Sequence, residues 1–101
     1  MKTWKNIRIR EYWDFPRCVI AEANDELYFF YSYFDESIDD YTDHYEVYKI
    51  PQLKKEELNG SWVDLEKRAI EILPNIGLKE LPFSILGDNI IDECSKSKND
   101  E

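Results

Sequence analysis

The first half of the chain alternates apolar and polar residues with the two-residue period of β-strands. Four segments show this pattern or form apolar runs of strand length: Ile7 to Arg10, Cys18 to Ala23, Leu27 to Phe34 and Tyr45 to Ile50. Turn residues separate them, with Pro16 inside Asp14 to Arg17 and with Asn24 and Asp25 before the third segment. Short turns between successive strands predict an antiparallel meander.

After Pro51 the apolar spacing changes to that of a helix. Residues 51–58 predict a short helix or turn, which Asn59-Gly60 ends. Ser61 to Asp64 then resembles a capping box, with Asp in place of the usual Glu or Gln. The apolar residues at helical spacing are Trp62, Leu65, Ala69, Ile70 and Leu73. We therefore predict a main amphipathic helix that ends at Pro74 and packs on the sheet.

These elements predict a single α+β domain over residues 1–94. Its predicted architecture is a four-stranded antiparallel β-meander with one main amphipathic helix packed on one face. Ile90 and Ile91 either add a fifth strand at the edge or pack down without pairing. Residues 87–89 predict a turn, and the polar residues 95–101 predict a frayed tail.

The third segment is rich in aromatic residues, with six among the seven from Tyr28 to Phe34. Alternation places Phe29 and Phe30 on opposite faces, so the strand is predicted to be central and its phenylalanines to lie in the core. Tyrosines also suit interfaces, because the ring packs while the hydroxyl stays wet. The tyrosines considered for a surface are Tyr28, Tyr31, Tyr33, Tyr41, Tyr45 and Tyr48.

Negative charge is concentrated around this strand. The chain has a formal net charge of −9, and residues 21–48 alone carry nine acidic groups with no Lys or Arg. Residues 1–20 sum to +3 and residues 49–101 to −3. A negative field of this kind repels nucleic acid and anionic membranes and attracts basic surfaces. The alternative is that the charge serves solubility.

The loop before the fourth strand places six carboxylates among the twelve residues from Asp35 to Glu46. Its oxygen-bearing positions partly match those of an EF-hand calcium loop, at Asp35, Ser37, Asp39, Asp43 and Glu46. Asp40 stands where that loop needs Gly, and the flanks are strands, so an EF-hand is not predicted. A weak divalent-cation site and a solvated, flexible loop are the open alternatives.

Patterns that carry catalysis are sparse. His44 is the sole histidine, and no Gly-rich phosphate loop, Cys/His zinc spacing or nucleophile elbow occurs. An enzyme that uses the carboxylates with His44 is a minority alternative, and no catalytic residue, metal or cofactor is predicted. The chain has two cysteines, an N-terminus without an apolar signal region and no apolar run of membrane length, which together predict a cytoplasmic protein.

Two stretches carry a resemblance to other proteins. They are Glu11-Tyr12-Trp13-Asp14-Phe15-Pro16-Arg17, ahead of a strand, an Asn-Asp turn and the aromatic strand, and Gly60-Ser61-Trp62-Val63-Asp64-Leu65. Residues 7–65 thereby resemble a group of small bacterial and phage domains of unknown function. In size, acidity and α+β style the chain is also similar to immunity proteins that neutralise toxins and to phage-borne inhibitors of host defence.

We therefore expect a non-enzymatic binding protein that docks on a basic surface of a protein partner, a toxin or a nucleic-acid-processing protein, as an immunity protein or anti-defence inhibitor would. No direct contact with nucleic acid or membrane is expected. The alternatives are a regulatory module that binds a small molecule or a divalent cation, and the small enzyme described above. The predicted partner-binding residues are Tyr31, Tyr33, Asp35, Glu36, Asp39, Asp40, Tyr41, Asp43, Tyr45 and Glu46.

Overall fold

The structure, a computed structural model, describes residues 3–13, 15–83 and 90–93. These residues form eight strands, one α-helix and one 3₁₀ helix. In chain order they are β1 (Trp4–Trp13), β2 (Phe15–Ala23), β3 (Glu26–Tyr31), β4 (Phe34–Asp35), β5 (Asp40–Tyr41), β6 (His44–Ile50), α1 (Lys55–Asn59), the 3₁₀ helix Leu65–Arg68, β7 (Glu71–Gly77) and β8 (Ile90–Glu93).

Six of these strands form one sheet in the order β7-β6-β3-β2-β1-β8. Each neighbouring pair from β1 to β7 is antiparallel, which confirms the predicted antiparallel sheet. β8 lies beside β1 in the parallel direction, so Ile90 belongs to an added edge strand. β4 and β5 pair only with each other and form a small hairpin between β3 and β6.

The turn between β2 and β3 follows directly from the sequence. Asn24 and Asp25 have φ values of 54° and 63°, in the left-handed region that these residue types tolerate and that tight hairpins need. The turn expected over residues 14–17 is tighter than predicted, because Phe15 already pairs with Trp13 of β1. Pro16 therefore belongs to β2.

The two faces of the sheet carry separate core clusters. One, here named the closed face, packs against Trp4 and segment 78–83, and its buried residues are Ile7, Ile9, Val19, Ala21, Ala23, Tyr28, Phe30, Tyr45 and Val47. The other, here named the open face, packs against segment 53–65, and its buried residues are Cys18, Ile20, Leu27, Phe29, Ile50, Trp62 and Leu65. β3 lies in the middle and supplies Phe29 to one face and Phe30 to the other, as alternation predicted.

The predicted main helix is wrong, and with it the α+β fold class. The fold is mostly β, and residues 61–77 contain the 3₁₀ helix and strand β7. Trp62 and Leu65 pack on the open face, whereas Leu73 packs against the closed face. Three residues that suggested one helical stripe therefore pack on opposite faces of the sheet, and Ile70 is 63% exposed. The shorter helix expected before Gly60 is present as α1.

Backbone geometry explains why this helix does not form. Asp64, expected inside the capping box, has a φ of 63°, which a right-handed helix does not accept. The N–H of Ile70 donates to the carbonyl oxygen of Lys49 at 2.7 Å, which begins the pairing of β7 with β6. Pro74 lies in a bulge of β7, the outermost described strand on that side, where proline is tolerated.

Three predictions fall on residues that the structure does not describe. These are the turn over residues 87–89, the end of the predicted domain at residue 94 and the frayed tail over residues 95–101.

Candidate functional site

An open groove lies on the open face, beyond the part of the sheet that Trp62 and Leu65 cover. Its volume is about 540 Å³, which is within the range of ligand-binding clefts. Tyr31 and Glu46 face each other across β3 and β6 in its lining. The full lining is Glu11, Tyr31, Tyr33, Phe34, Tyr41, Glu46 and Glu66.

The groove continues into a second cavity of about 290 Å³ beside Trp62. The two cavities share Glu11, Tyr31 and Glu66, so these three residues stand between them. Arg10 and Cys18 belong to the lining of the second cavity. Carboxylates from β1, β6 and the 3₁₀ helix thus meet at one place, although they are far apart in the sequence.

Aromatic rings run from the core into the groove. The ring of Tyr31 stacks on Phe29, with centroids 5.3 Å apart and planes at 16°. The ring of Tyr33 lies 5.7 Å from that of Tyr31, and Phe34 meets Tyr41 edge to face at 5.4 Å. Because each of these rings packs against a neighbouring ring, a partner that contacts them meets a partly preorganised surface.

Glu46 interacts with two tyrosines of β3 and β6. The hydroxyl of Tyr48 donates a hydrogen bond to Glu46 Oε1. Burial and this hydrogen bond raise the pKa of Tyr48, whereas the charge of Glu46 is the main cause that raises the pKa of Tyr33. Both hydroxyls thus keep the proton that they can donate to a higher pH than an ordinary tyrosine does.

The pKa of Tyr31 reflects both the burial of its hydroxyl and the negative charge of the groove. Burial is the largest cause that raises its pKa from 10.0 to about 12, followed by Cys18, Glu66, Glu11 and Glu46. Three of these contributors are carboxylates of the groove lining. A cation that enters the groove would therefore meet both a favourable potential and an aromatic surface.

The acidic hairpin of β4 and β5, residues 34–41, is built partly by its own carboxylates. Asp35 Oδ1 accepts hydrogen bonds from the N–H and the hydroxyl of Ser37, at 2.9 and 2.7 Å, and these bonds lower the pKa of Asp35. Asp40 Oδ1 accepts from the N–H of Tyr41 at 2.7 Å. Asp39 has a φ of 56° in the turn. These aspartates therefore shape the turn as well as adding charge.

Arg17 of β2 forms hydrogen bonds with the two residues that flank the acidic hairpin. It is 5% exposed, and its Nη1 donates to the Ser32 hydroxyl at 2.9 Å and to the Thr42 carbonyl at 3.1 Å. Its guanidinium also lies 4.7 Å from the centroid of the Tyr41 ring. Because Ser32 and Thr42 flank the hairpin on either side, Arg17 ties both of its stems to β2.

Glu11 has an unusual backbone for a groove residue. Its φ is 57°, although it lies inside strand β1 and is not a glycine. A left-handed conformation costs about 1–2 kcal/mol for such a residue and persists only where the surrounding structure imposes it. Strain of this kind concentrates at binding and catalytic sites, which agrees with the place of Glu11 between the two cavities.

The structure separates the ten residues predicted to bind a partner into three groups. Tyr31, Tyr33, Tyr41 and Glu46 line the groove. Asp35, Glu36, Asp39, Asp40 and Asp43 belong to or flank the acidic hairpin. Tyr45 is 0% exposed in the closed-face core, where its hydroxyl donates to the Pro16 carbonyl at 2.6 Å. Tyr45 therefore cannot contact a partner in this structure, and Tyr28, also considered, is buried too.

Sequence reasoning missed three residues of the groove. Glu11 and Glu66 lie outside the acidic segment, so only the fold brings them to Tyr31. Phe34 was assigned to the core with the other phenylalanines, but its side chain is 49% exposed beside Tyr41. Its position at the end of the aromatic run, next to Asp35, was the available signal.

The other proposed chemistries find less geometric support in the described residues. No group of three His, Cys, Asp or Glu side chains among them is placed to hold a metal ion. His44 Nδ1 lies 3.2 Å from Asp43 Oδ1 at the surface, and His44 does not line the groove. Within the described parts of the chain, no helix is long and apolar enough to cross a membrane.

Comparisons with protein-family models, with curated proteins and with solved structures find no match for this chain.

Proposed function

We propose that this chain is a non-enzymatic binding protein that docks on a basic surface of a protein partner. The docking surface is the tyrosine-lined groove together with the acidic hairpin. The observation that carries the proposal is the meeting of three carboxylates, Glu11, Glu46 and Glu66, with tyrosine rings in one open groove. Negative potential speeds the encounter with a basic partner, and aromatic rings supply contact area that stabilises the complex.

The exposed residues of the acidic hairpin, and Asp43 beside it, fit the same proposal. Glu36, Asp39 and Asp43 point their charge to solvent, and the Asp43 side chain is 99% exposed. Ile38 in the turn is 60% exposed, which offers an apolar contact next to the charges. An apolar centre with a charged rim is the usual composition of a protein interface.

An immunity protein or an anti-defence inhibitor would act in this way, by covering a basic active site or nucleic-acid channel of its target. The partner class we propose is a toxin or a nucleic-acid-processing protein with such a surface. A cytoplasmic location is part of the proposal, because a chain of this size with two cysteines does not depend on disulfides for its core.

The test starts from affinity capture with the tagged protein and continues with association kinetics of the captured partner. Glu36→Lys combined with Asp43→Lys removes hairpin charge without removing the turn bonds of Asp35 and Asp40. We expect the association rate to fall by roughly tenfold at low salt, and the difference to shrink as salt rises.

The matched control reverses two exposed carboxylates elsewhere, Glu56→Lys with Glu71→Lys. It changes the net charge by the same amount but leaves the groove and the acidic hairpin intact. Equal slowing by the two double variants, or no slowing by either, would show that the hairpin does not direct docking.

A further inference from the structure

Two of the groove carboxylates, Glu46 and Glu66, have no cationic partner among the described residues. Likewise, within the described chain no cationic side chain lies over the ring of Tyr31 or Tyr33. The carboxylates and the rings thus face a volume of about 540 Å³ that an incoming cation can enter.

Guanidinium groups of this protein already use the same chemistry at Tyr41 of the groove and at Trp62 of the second cavity. Arg17 lies 4.7 Å from the centroid of the Tyr41 ring while it donates to the Thr42 carbonyl. Arg10 lies 4.2 Å from the centroid of the Trp62 ring while it donates to the Leu58 carbonyl at 3.0 Å. In both cases a planar cation combines ring stacking with hydrogen bonds to oxygen.

We propose that the groove is a subsite for one arginine side chain of the partner, stacked on Tyr31 and Tyr33 and hydrogen-bonded to the carboxylates of Glu46 and Glu66. This inference rests on the proposed function, which it sharpens to a single anchoring side chain. Arginine fits better than lysine because its guanidinium is planar, carries five donors and is weakly hydrated. A lysine ammonium would gain less from the rings and would have to give up a tighter hydration shell.

The potential at Tyr31 agrees with this assignment. Its pKa is raised to about 12 by burial first, then by Cys18, and then by the carboxylates of Glu66, Glu11 and Glu46. A guanidinium bound among these carboxylates would offset their effect on the Tyr31 hydroxyl. Binding should therefore lower the pKa of Tyr31, which gives a readout inside the groove itself.

The test uses a defined probe, the peptide acetyl-Gly-Gly-Arg-Gly-Gly-amide, and its citrulline counterpart, which has the same shape without the charge. In titrations followed by NMR, the peptide should change the chemical shifts of the backbone amides of Tyr31, Glu46 and Glu66. We expect the arginine peptide to bind about tenfold more tightly than the citrulline peptide. The tyrosinate absorbance of Tyr31 should also appear at lower pH when the arginine peptide is present.

Variants separate the subsite from general attraction to an acidic protein. Glu66→Gln should weaken the arginine peptide by about fivefold, whereas Glu56→Gln, an equal charge change outside the groove, should leave its affinity unchanged. Tyr31→Phe keeps the aromatic ring, so it is a second groove variant that can be measured if Glu66→Gln does not fold. Equal binding of the two peptides, shifts outside the groove, or equal effects of Glu66→Gln and Glu56→Gln would overturn the subsite.

The outcomes also distinguish this inference from the function on which it rests. If the arginine peptide shows no preference but the hairpin variant still slows association of the captured partner, the subsite is wrong and the docking function stands. If the peptide binds in the groove but the hairpin variant associates with the captured partner at the unaltered rate, the subsite stands and electrostatic docking through the hairpin is wrong.

Discussion

Phe30 on the closed face is enclosed by Trp4, Tyr45 and Phe83, whereas its neighbour Tyr31 on the open face lies half-buried at the edge of a groove. The ring of Phe30 is 5.7 Å from Trp4, 6.3 Å from Tyr45 and 5.4 Å from Phe83. Tyr31 stacks on Phe29 on one side but lines the groove on the other. Two consecutive residues of one strand therefore belong to a packed core and to an accessible surface.

The covering segments explain this difference. Segment 78–83 packs on the closed face through Leu78, Leu81 and Phe83. On the open face the cover is segment 53–65, which leaves Tyr31 half-buried and leaves Tyr33 and Glu46 in the lining of the open groove. The part left uncovered carries hydroxyls and carboxylates, which remain solvated, so this face can hold a binding surface without exposing a large apolar area.

The largest expected effect is on stability, from the core ring of the closed face. Phe30 is 2% exposed, and Phe30→Ala should lower the free energy of unfolding by about 3–5 kcal/mol. The matched change Phe34→Ala removes the same atoms from a side chain that is 49% exposed and should cost less than about 1 kcal/mol. Urea unfolding followed by tryptophan fluorescence measures both.

If Phe30→Ala does not fold, Phe30→Leu should still cost about 1–2 kcal/mol and allows the comparison to be completed. Similar losses at Phe30 and Phe34 would mean that the two faces do not differ in packing as described.

A smaller loss is expected from Arg17, which links the core to the acidic hairpin. Arg17→Met should cost about 2–3 kcal/mol, because it removes charge-assisted hydrogen bonds to Ser32 and Thr42. The amide of Thr42, which donates to the Tyr33 carbonyl at 2.9 Å, should exchange faster with solvent as the hairpin loosens.

Arg68→Met is the control for this change. Arg68 forms an exposed ion pair with Glu57 at 3.0 Å, and its loss should cost no more than about 0.5 kcal/mol. Unchanged exchange at Thr42 in Arg17→Met would argue against an anchoring role for Arg17.

Strands β1, β2, β3 and β6 could be predicted because alternation and turn residues are local signals. Asn24 and Asp25 encode their hairpin by residue type alone. The helix prediction failed because the helical spacing of Trp62, Leu65 and Leu73 puts them on one face only if residues 62–73 form one continuous helix. In the fold the chain turns at Asp64 and pairs from Ile70, so these residues reach different faces.

The groove could be predicted only in part for the same reason. The tyrosines and Glu46 come from one contiguous segment, and composition pointed to them. Glu11 and Glu66 join the groove through sheet pairing and through the 3₁₀ helix, which no local pattern encodes. The burial of Tyr45 could not be predicted either, since a tyrosine next to a loop has the same local pattern whether its hydroxyl meets water or the Pro16 carbonyl.

The same substitution, Tyr to Phe, can therefore be compared at Tyr45 on the closed face and at Tyr33 in the groove. Tyr45→Phe should cost about 1–2 kcal/mol, because it leaves the buried Pro16 carbonyl without its donor at 2.6 Å. Tyr33→Phe, in the groove, should change the free energy of unfolding by less than about 0.5 kcal/mol. Denaturant unfolding measures the pair, and an equal loss at both positions would place Tyr33 in the core as well.

The smallest expected effect is the pH dependence of the open face above neutrality. Because the pKa of Tyr31 is raised from 10.0 to about 12 in the folded protein, its neutral hydroxyl favours the folded state. That contribution is complete below pH 10 and is lost as the pH rises towards 12. Tyr31→Phe should therefore make the alkaline decline of stability shallower, measured by urea unfolding at a series of pH values.

Glu66→Gln should lower the pKa of Tyr31 in a tyrosinate absorbance titration, whereas Glu56→Gln should leave that pKa unchanged. Equal titration of both variants would show that Glu66 does not act on Tyr31.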